Sequence, residues 1–288
     1  MENIIDLHIH SCYSDGEDTP NEIIRKAKQK GIKTLAITDH DTLLGNHNIT
    51  LRKEEREGIK IVPGIELTAK TSHGRMHILG YDINIDDDKL NNAIEKLRNN
   101  SVYSVISLIS QLKKDYDITF STEELQKLLI TEKNIGRPDI AKLCIQNGYA
   151  SCVKNAFDLY LEEAYQKTRT TNKGISYSDC ISLIKNAGGI PILAHPKTLE
   201  KSKDELQKLV EEMILVGLEG IEVYHSSHTE KETKLYEVLA QKYQLLISGG
   251  SDYHGHSVKP DIELGTGKNN NLKIKELSLL NKIKKNLP

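Results

Sequence analysis

The 288-residue sequence has no tryptophan and only two phenylalanines. That scarcity excludes nothing by itself, and no function is argued from it. Other absences say more. No stretch approaches the ~20 consecutive apolar residues that cross a bilayer, so no membrane-spanning helix is expected. The start, MENIIDLHIH, lacks a basic region followed by a long apolar run, so the chain reads as cytoplasmic. An excess of one charge is also missing: 39 basic residues face 41 acidic ones, for a net charge of −2. This argues against an extended basic nucleic-acid surface. It leaves room for a short nucleotide bound through metal ions and a few local cations. The four cysteines, Cys12, Cys144, Cys152 and Cys180, form no CxxC pair and read as reduced thiols. Cys12 reads as a small buried neighbour of the histidine-rich start rather than a ligand. No protein partner is implied.

What is present fits one large α/β domain with an insertion: 38% of residues are hydrophobic and 28% charged. Short β-rich runs alternate with amphipathic segments. Strands are expected at Asn3–His8, Lys33–Thr38, Lys60–Leu67 and Arg75–Tyr81, with helices at Thr19–Lys30 and Asn46–Glu57. Thr19 suits an N-cap and Pro20 the first helical position. Residues 87–166 differ, with helical periodicity and few strand signals. Helices are expected at Ala93–Asp115, Thr122–Ile130, Pro138–Asn147 and Lys154–Ala164. Alternation then resumes, with strands at Ile190–Ala194, Gly220–Tyr224 and Leu245–Ser248 between helices at Tyr177–Ala187, Ser202–Val216 and Thr229–Tyr243. Lys273–Pro288 reads as a last helix with a frayed end. Such units favour parallel strands with crossover helices. The expected division is a barrel domain of residues 1–86 and 167–288, and a helical insertion, or cap, of residues 87–166.

The eleven histidines are not scattered. His8 and His10 close the first expected strand, and Asp39-His40-Asp41 the second. Glu66 lies near the end of the third, and His77 within the fourth. His195, His225, and Asp252 with His254 follow the later strands. Most of these positions lie at the C-terminal ends of expected strands, the rim on which barrel enzymes assemble their sites. Imidazoles and carboxylates together suit Zn²⁺, Mn²⁺ or Fe²⁺. Residues i and i+2 on a strand share a face, so His8 and His10 can point the same way. Each element also has an ordinary reading. An isolated HxH is weak, His77 could be a core histidine, and Asp39 and Asp41 could be turn formers. His47, His73 and His256 read as surface residues or outer neighbours. The conjunction of separate strand ends offering ligands carries the metal-site reading. Such a site suits phosphoester cleavage: one cation acidifies a bound water while others clamp the phosphoryl oxygens.

The series DLHIHSCYSDG, AITDHD, VPGIEL, HILGY, LAHP and GGSDYHG resembles the polymerase and histidinol phosphatase (PHP) family, from residue 4 to about residue 256. GRPDIA and IEVYHSSHT resemble the branch with nucleoside-3′,5′-bisphosphate phosphatases and RNA 5′-end exonucleases. The resemblance implies a distorted, TIM-like (β/α)7 barrel with an inserted helical cap and three divalent ions, Mn²⁺ first and Fe²⁺ or Zn²⁺ as alternatives. Carried over by motif, His8, His10, Glu66 and Asp252 would hold one ion. Asp15, His40 and His254 would hold a second. Glu66, His77 and His195 would hold a third. Arg137 would bind a substrate phosphate through parallel guanidinium hydrogen bonds, the ordinary reading being a tie between cap and barrel. His225 and His228 would contact phosphate or protonate the leaving oxygen. His228 ranks first because it sits where relatives have a similar histidine. Asp6 and Asp41 would orient ligating histidines. Two residues depart from the pattern: Asp139 stands where relatives often have histidine, and Ser226 where they have proline.

The expected function is hydrolysis of a phosphate ester on a small nucleotide by a metal-bridging hydroxide, first the 3′-phosphate of a nucleoside 3′,5′-bisphosphate. The alternatives are 5′→3′ exonuclease action on short 5′-phosphorylated RNA, histidinol phosphate hydrolysis, and a non-catalytic metal-binding regulatory module. The last two rank low because the cap and GRPDIA are present and all nine ligand positions are filled.

Overall fold

The computed structural model describes residues 4–71, 75–131, 133–168 and 175–285. His73, the first residue of the strand expected from Asn3, and the last three residues of the tail lie outside them. Seven strands form one sheet in sequence order: β1 Ile4–Ile9, β2 Ile32–Ile37, β3 Lys60–Ala69, β4 Met76–Tyr81, β5 Ile190–Leu193, β6 Gly220–His225 and β7 Leu246–Gly250. The chain after β7 turns back onto β1. The Asp252 amide donates to the His8 carbonyl at 2.8 Å, and the His10 amide to the Tyr253 carbonyl at 2.9 Å. The sheet is thereby drawn into a nearly closed barrel, with helices outside it. Gly250 allows the approach, since a Cβ there would lie 2.3 Å from the His8 amide nitrogen.

α1 Pro20–Gln29 starts where the sequence predicts, with a Thr19–Glu22 capping box. α2 is a correction: it spans only Leu44–His47, not Asn46–Glu57. The Asn46 amide donates to the Ile37 and Gly64 carbonyls, and the Asn48 amide to the Leu44 carbonyl. These side chains bond backbone in place of a continuing helix. β4 departs from the all-parallel expectation, because it runs antiparallel to both β3 and β5. Ala69 ends β3 and Met76 begins β4, and so short a link cannot make the crossover that parallel strands need.

Between β4 and β5 the chain is helical: α3 Asp88–Tyr116, α4 Thr122–Ile130, α5 Arg137–Gln146, α6 Val153–Ala156 and α7 Glu162–Thr168, with a π-helical turn at Phe157–Leu161. Val105, Leu108, Leu112, Ile140, Leu161 and others pack there into a core drawn wholly from residues 105–164. α8 Tyr177–Asn186, α9 Lys203–Leu215 and α10 Glu230–Tyr243 return along the barrel. Beyond β7 come the small hairpin strands β8 Ile262–Glu263 and β9 Gly267–Lys268, then α11 Ser278–Lys285. Val62, Leu79, Tyr81, Ile190 and Ile192 belong to one buried apolar cluster. On β3 Val62 shares a face with Glu66, and on β4 Leu79 and Tyr81 share one with His77, so hydrophobic packing holds the strands whose ends carry the polar site.

Candidate metal centre

In β1 a register slip between Asp6 and Ile9 breaks the simple alternation: Ile5 and Leu7 join the apolar cluster of Val62 and Leu79, Ile9 packs in another with Ile23 and Ile24, and His8 and His10 turn toward Glu66. His8 and His10 are fully buried beside Glu66 of β3, itself 0% exposed. Glu66 is the hub. Its Oε2 lies 3.2 Å from His8 Nε2, 3.2 Å from His10 Nε2 and 3.1 Å from His40 Nδ1. Its Oε1 lies 2.9 Å from His77 Nδ1 and 2.8 Å from His195 Nε2. His77, at the start of an antiparallel strand, therefore reaches the same rim as residues at the ends of parallel ones. Asp252 Oδ1 lies 3.3 Å from His10 Nε2 and 3.5 Å from His254 Nδ1. Asp15 Oδ1 lies 3.2 Å from His254 Nε2, and its Oδ2 3.9 Å from His40 Nε2. All nine residues singled out in the sequence meet in one pocket.

The donor set fits divalent cations. Both ring nitrogens of His10 and Nδ1 of His40 are buried without a hydrogen-bond partner among the described residues. Buried polar atoms are rarely left so. Three other rings have their tautomer set from behind. His254 Nδ1 donates to the Asp252 carbonyl at 2.8 Å. His195 Nδ1 bonds Thr198 Oγ1 at 2.9 Å, whose own hydrogen goes to a backbone carbonyl. His8 Nδ1 bonds Glu222 Oε1 at 2.8 Å. In the neutral rings each Nε2 lone pair then faces the carboxylates, as metal ligation requires. Burial opposes ionisation of Glu66, but the imidazoles of His40, His77 and His8 outweigh it and hold its carboxyl well below the usual range. Burial likewise lowers His10, yet Asp252, Glu66 and Asp15 raise it to about 9. In the protein alone, protons on imidazoles balance the carboxylates; divalent cations can take that role. Three residues at the rim, Asp41, His195 and Asp252, hold positive φ values of 49°, 20° and 58° without being glycine. Such backbone strain clusters at functional sites.

The remaining sequence candidates divide. His225 Nε2 is 3.4 Å from Asp252 Oδ2. The Ser227 amide donates to His225 Nδ1 at 3.1 Å, so in the neutral ring the proton sits on Nε2, facing the centre. His228 donates from Nδ1 to the Val223 carbonyl at 2.9 Å, and its ring lies edge-on to Tyr236. Burial, reinforced by His225, lowers it to about 3, so it stays neutral without a proton on Nε2. His225 thus turns Nε2 toward the centre, whereas His228 spends its Nδ1 proton on the Val223 carbonyl. Arg137 begins α5 and lines a cavity of about 250 Å³ with Asp15, His40, His77, Arg75 and Phe157. Its guanidinium donates to Glu162 at 3.0 Å and lies 4.0 Å from the Tyr165 ring centroid, so it ties cap to cap rather than cap to barrel.

Among the described residues, Asp6 and Asp41 bond backbone amides and hydroxyls rather than histidine rings. Asp6 accepts from the Ser251, Gly265 and His8 amides, and Asp41 from Thr68. Asp139 is buried, pairs with Lys133 and accepts from the Gly136 amide at 2.9 Å, so it caps α5. Ser226 Oγ donates to the Ser251 carbonyl. Glu222 was not singled out from sequence. A register shift in β6 between Glu222 and Tyr224 lets Glu222 and His225, three apart, both face His8. Only the alternation within IEVYH hinted at it, since it puts a carboxylate on a strand facing the other way from Ile221 and Val223. Burial raises the Glu222 carboxyl, but His8 and His225 outweigh this and bring it down to about 2.

The PHP domain pattern matches residues 6–258. The chain belongs to the PHP domain family. A phosphoribosyl 1,2-cyclic phosphate 1,2-diphosphodiesterase of Eggerthella lenta is 32% identical over 263 residues, 88% of this chain and 94% of that one. A 3′,5′-nucleoside bisphosphate phosphatase of Chromobacterium violaceum is 26% identical over 250 residues, 87% of each. A crystal structure of a Bifidobacterium adolescentis protein, described as a metal-dependent phosphoesterase, superposes with a TM-score of 0.79 at 27% identity and covers 92% of each chain. This PHP-domain chain is accordingly a metal-dependent phosphoesterase with a TIM-like barrel. Among its described residues, no helix is long and apolar enough to cross a membrane.

Proposed function

We propose that the chain hydrolyses a phosphate ester on a ribose that carries a second phosphate, first the 3′-phosphate of a nucleoside 3′,5′-bisphosphate. One observation carries this reading. The cavity over the centre has Asp15, His40 and His77 on one side and Arg75, Arg137 and Phe157 among its other walls. A reacting phosphate fits the first set, a second phosphate the guanidiniums, and a base the aromatic face. The names of the two relatives above describe substrates with more than one phosphate on a ribose unit.

His8, His10, Asp15, His40, Glu66, His77, His195, Asp252 and His254 would hold three divalent ions, Mn²⁺ first. When bound, such ions acidify water and neutralise phosphoryl charge. The chain's own residues do the rest. His225 holds a proton on Nε2 beside Asp252 and delivers it to the leaving ribose oxygen. Arg137, fixed by Glu162 and Tyr165, orients the non-reacting phosphate.

Purified protein with Mn²⁺ is expected to convert adenosine 3′,5′-bisphosphate to AMP and phosphate. No phosphate release from a folded, metal-loaded sample would defeat the reading. The 32% identity to the cyclic-phosphate enzyme favours a second reading, opening of a ribose cyclic phosphate. A higher kcat/KM on that diester than on the bisphosphate would make it the better one. A 5′-phosphorylated oligoribonucleotide in the same assay tests the exonuclease alternative.

A further inference from the structure

Glu222 has no part in the nine-residue set, yet it touches two of its members. Its side chain is fully buried in the barrel. Oε1 bonds His8 Nδ1 at 2.8 Å. Oε2 accepts from the His195 amide at 2.7 Å. These two histidines lie on different oxygens of the hub: His8 Nε2 faces Glu66 Oε2, and His195 Nε2 faces Glu66 Oε1. His195 holds φ 20° and ψ 70°, a conformation that needs outside support.

We propose that Glu222 is a positioning residue for the metal centre: it fixes the His8 tautomer and pins the strained His195 backbone, so that both Nε2 lone pairs point at the Glu66 hub. The proposal rests on reading His8 and His195 as metal ligands. Glu222, His8 and His225 also lie close enough to hold an ion among themselves. The 2.8 Å separation of Glu222 Oε1 from His8 Nδ1 is that of a direct hydrogen bond, and His8 offers its other nitrogen to the hub. Chemistry sharpens the test. Both Glu222 oxygens accept, one from each histidine, whereas a glutamine has one acceptor oxygen. In Glu222→Gln the NH₂ must face either His8 Nδ1–H or the His195 amide, and one of the two fixings is lost.

The experiment compares wild type, Glu222→Gln and Glu222→Asp, each loaded with Co²⁺ and titrated with a competing chelator. Metal content and the visible Co²⁺ spectrum are read alongside. The expected result for Glu222→Gln is unchanged ion stoichiometry at saturation, affinity weakened about 10–100-fold, and an altered spectrum. Glu222→Asp keeps both acceptors on a shorter arm and falls between. Wild-type affinity and spectrum in Glu222→Gln would overturn the proposal. So would loss of one ion with the others unchanged, because Glu222 would then be a ligand itself. Should the variants not fold, ¹⁵N NMR of Zn²⁺-loaded wild type decides: a proton on His8 Nδ1 is expected, and one on Nε2 overturns the assignment. None of these readouts uses substrate, so a failure here is distinct from a wrong substrate. Wild type that takes up no metal would instead sink the metal-centre reading on which this one rests.

Discussion

The barrel rim and the helical cap handle charge in opposite ways. At the rim, Glu66 and the rings of His8 and His10 are wholly shielded from water, and each carboxylate oxygen of the hub meets two or three imidazoles. In the cap, ion pairs such as Lys154–Asp158 and Lys167–Glu163 lie exposed on helix faces, while the interior is apolar. Exposed pairs of that kind contribute little, with a median of about 0–1 kcal/mol. The cap is therefore held by apolar packing and the rim by mutual satisfaction of charges. A substitution in one region should leave the other's signature intact.

The largest effect is expected for Glu66→Gln. It removes the charge that five imidazoles surround, so metal content and activity should fall together, activity by about 10³-fold or more, as when a preorganised electrostatic group is lost. Wild-type metal content in that variant, read by atomic emission, would break the contrast at its centre. Next comes Leu112→Ala in the buried cap core, expected to cost about 2–5 kcal/mol of stability in denaturant melts. Its metal affinity should stay at the wild-type value, and a large loss would mean the cap and rim are not separable. Smaller still is Arg137→Ala. A hydrogen bond to a charged group contributes about 1.5–3 kcal/mol. That predicts kcat/KM on adenosine 3′,5′-bisphosphate lower by about 10–150-fold. Metal content should not change, and a monoester lacking the second phosphate should lose much less. An equal loss on both substrates would deny Arg137 its phosphate.

How far the sequence could be read follows the same contrast. Thr122–Ile130 is a helix within the predicted bounds, because helical periodicity and its capping residues are local signals. The nine rim residues were legible because motifs such as DLHIH and AITDHD concentrate ligand-type side chains at strand ends. Three features were not legible. Asn46 carries no local mark of the two backbone carbonyls that its amide finds on the neighbouring strands β2 and β3. The direction of β4 is not encoded by hydrophobic patterning, and the short link to β3 was the one signal for it in the sequence. Asp139 stood out only as a departure from the family pattern, and its place capping α5 showed once its partners, Lys133 and the Gly136 amide, lay beside it.

The chain by itself determined which side chains could bind metal and where most of its helices lie, though α3 begins at Asp88 rather than at the expected Ala93, since residue chemistry and short-range periodicity are written residue by residue. Only the barrel decided that Glu66 stands between five imidazoles and that Glu222 lies behind two of the nine rim residues, His8 and His195. Those outcomes turn on a strand bulge and on contacts between residues far apart in sequence, and neither exists until the strands have paired.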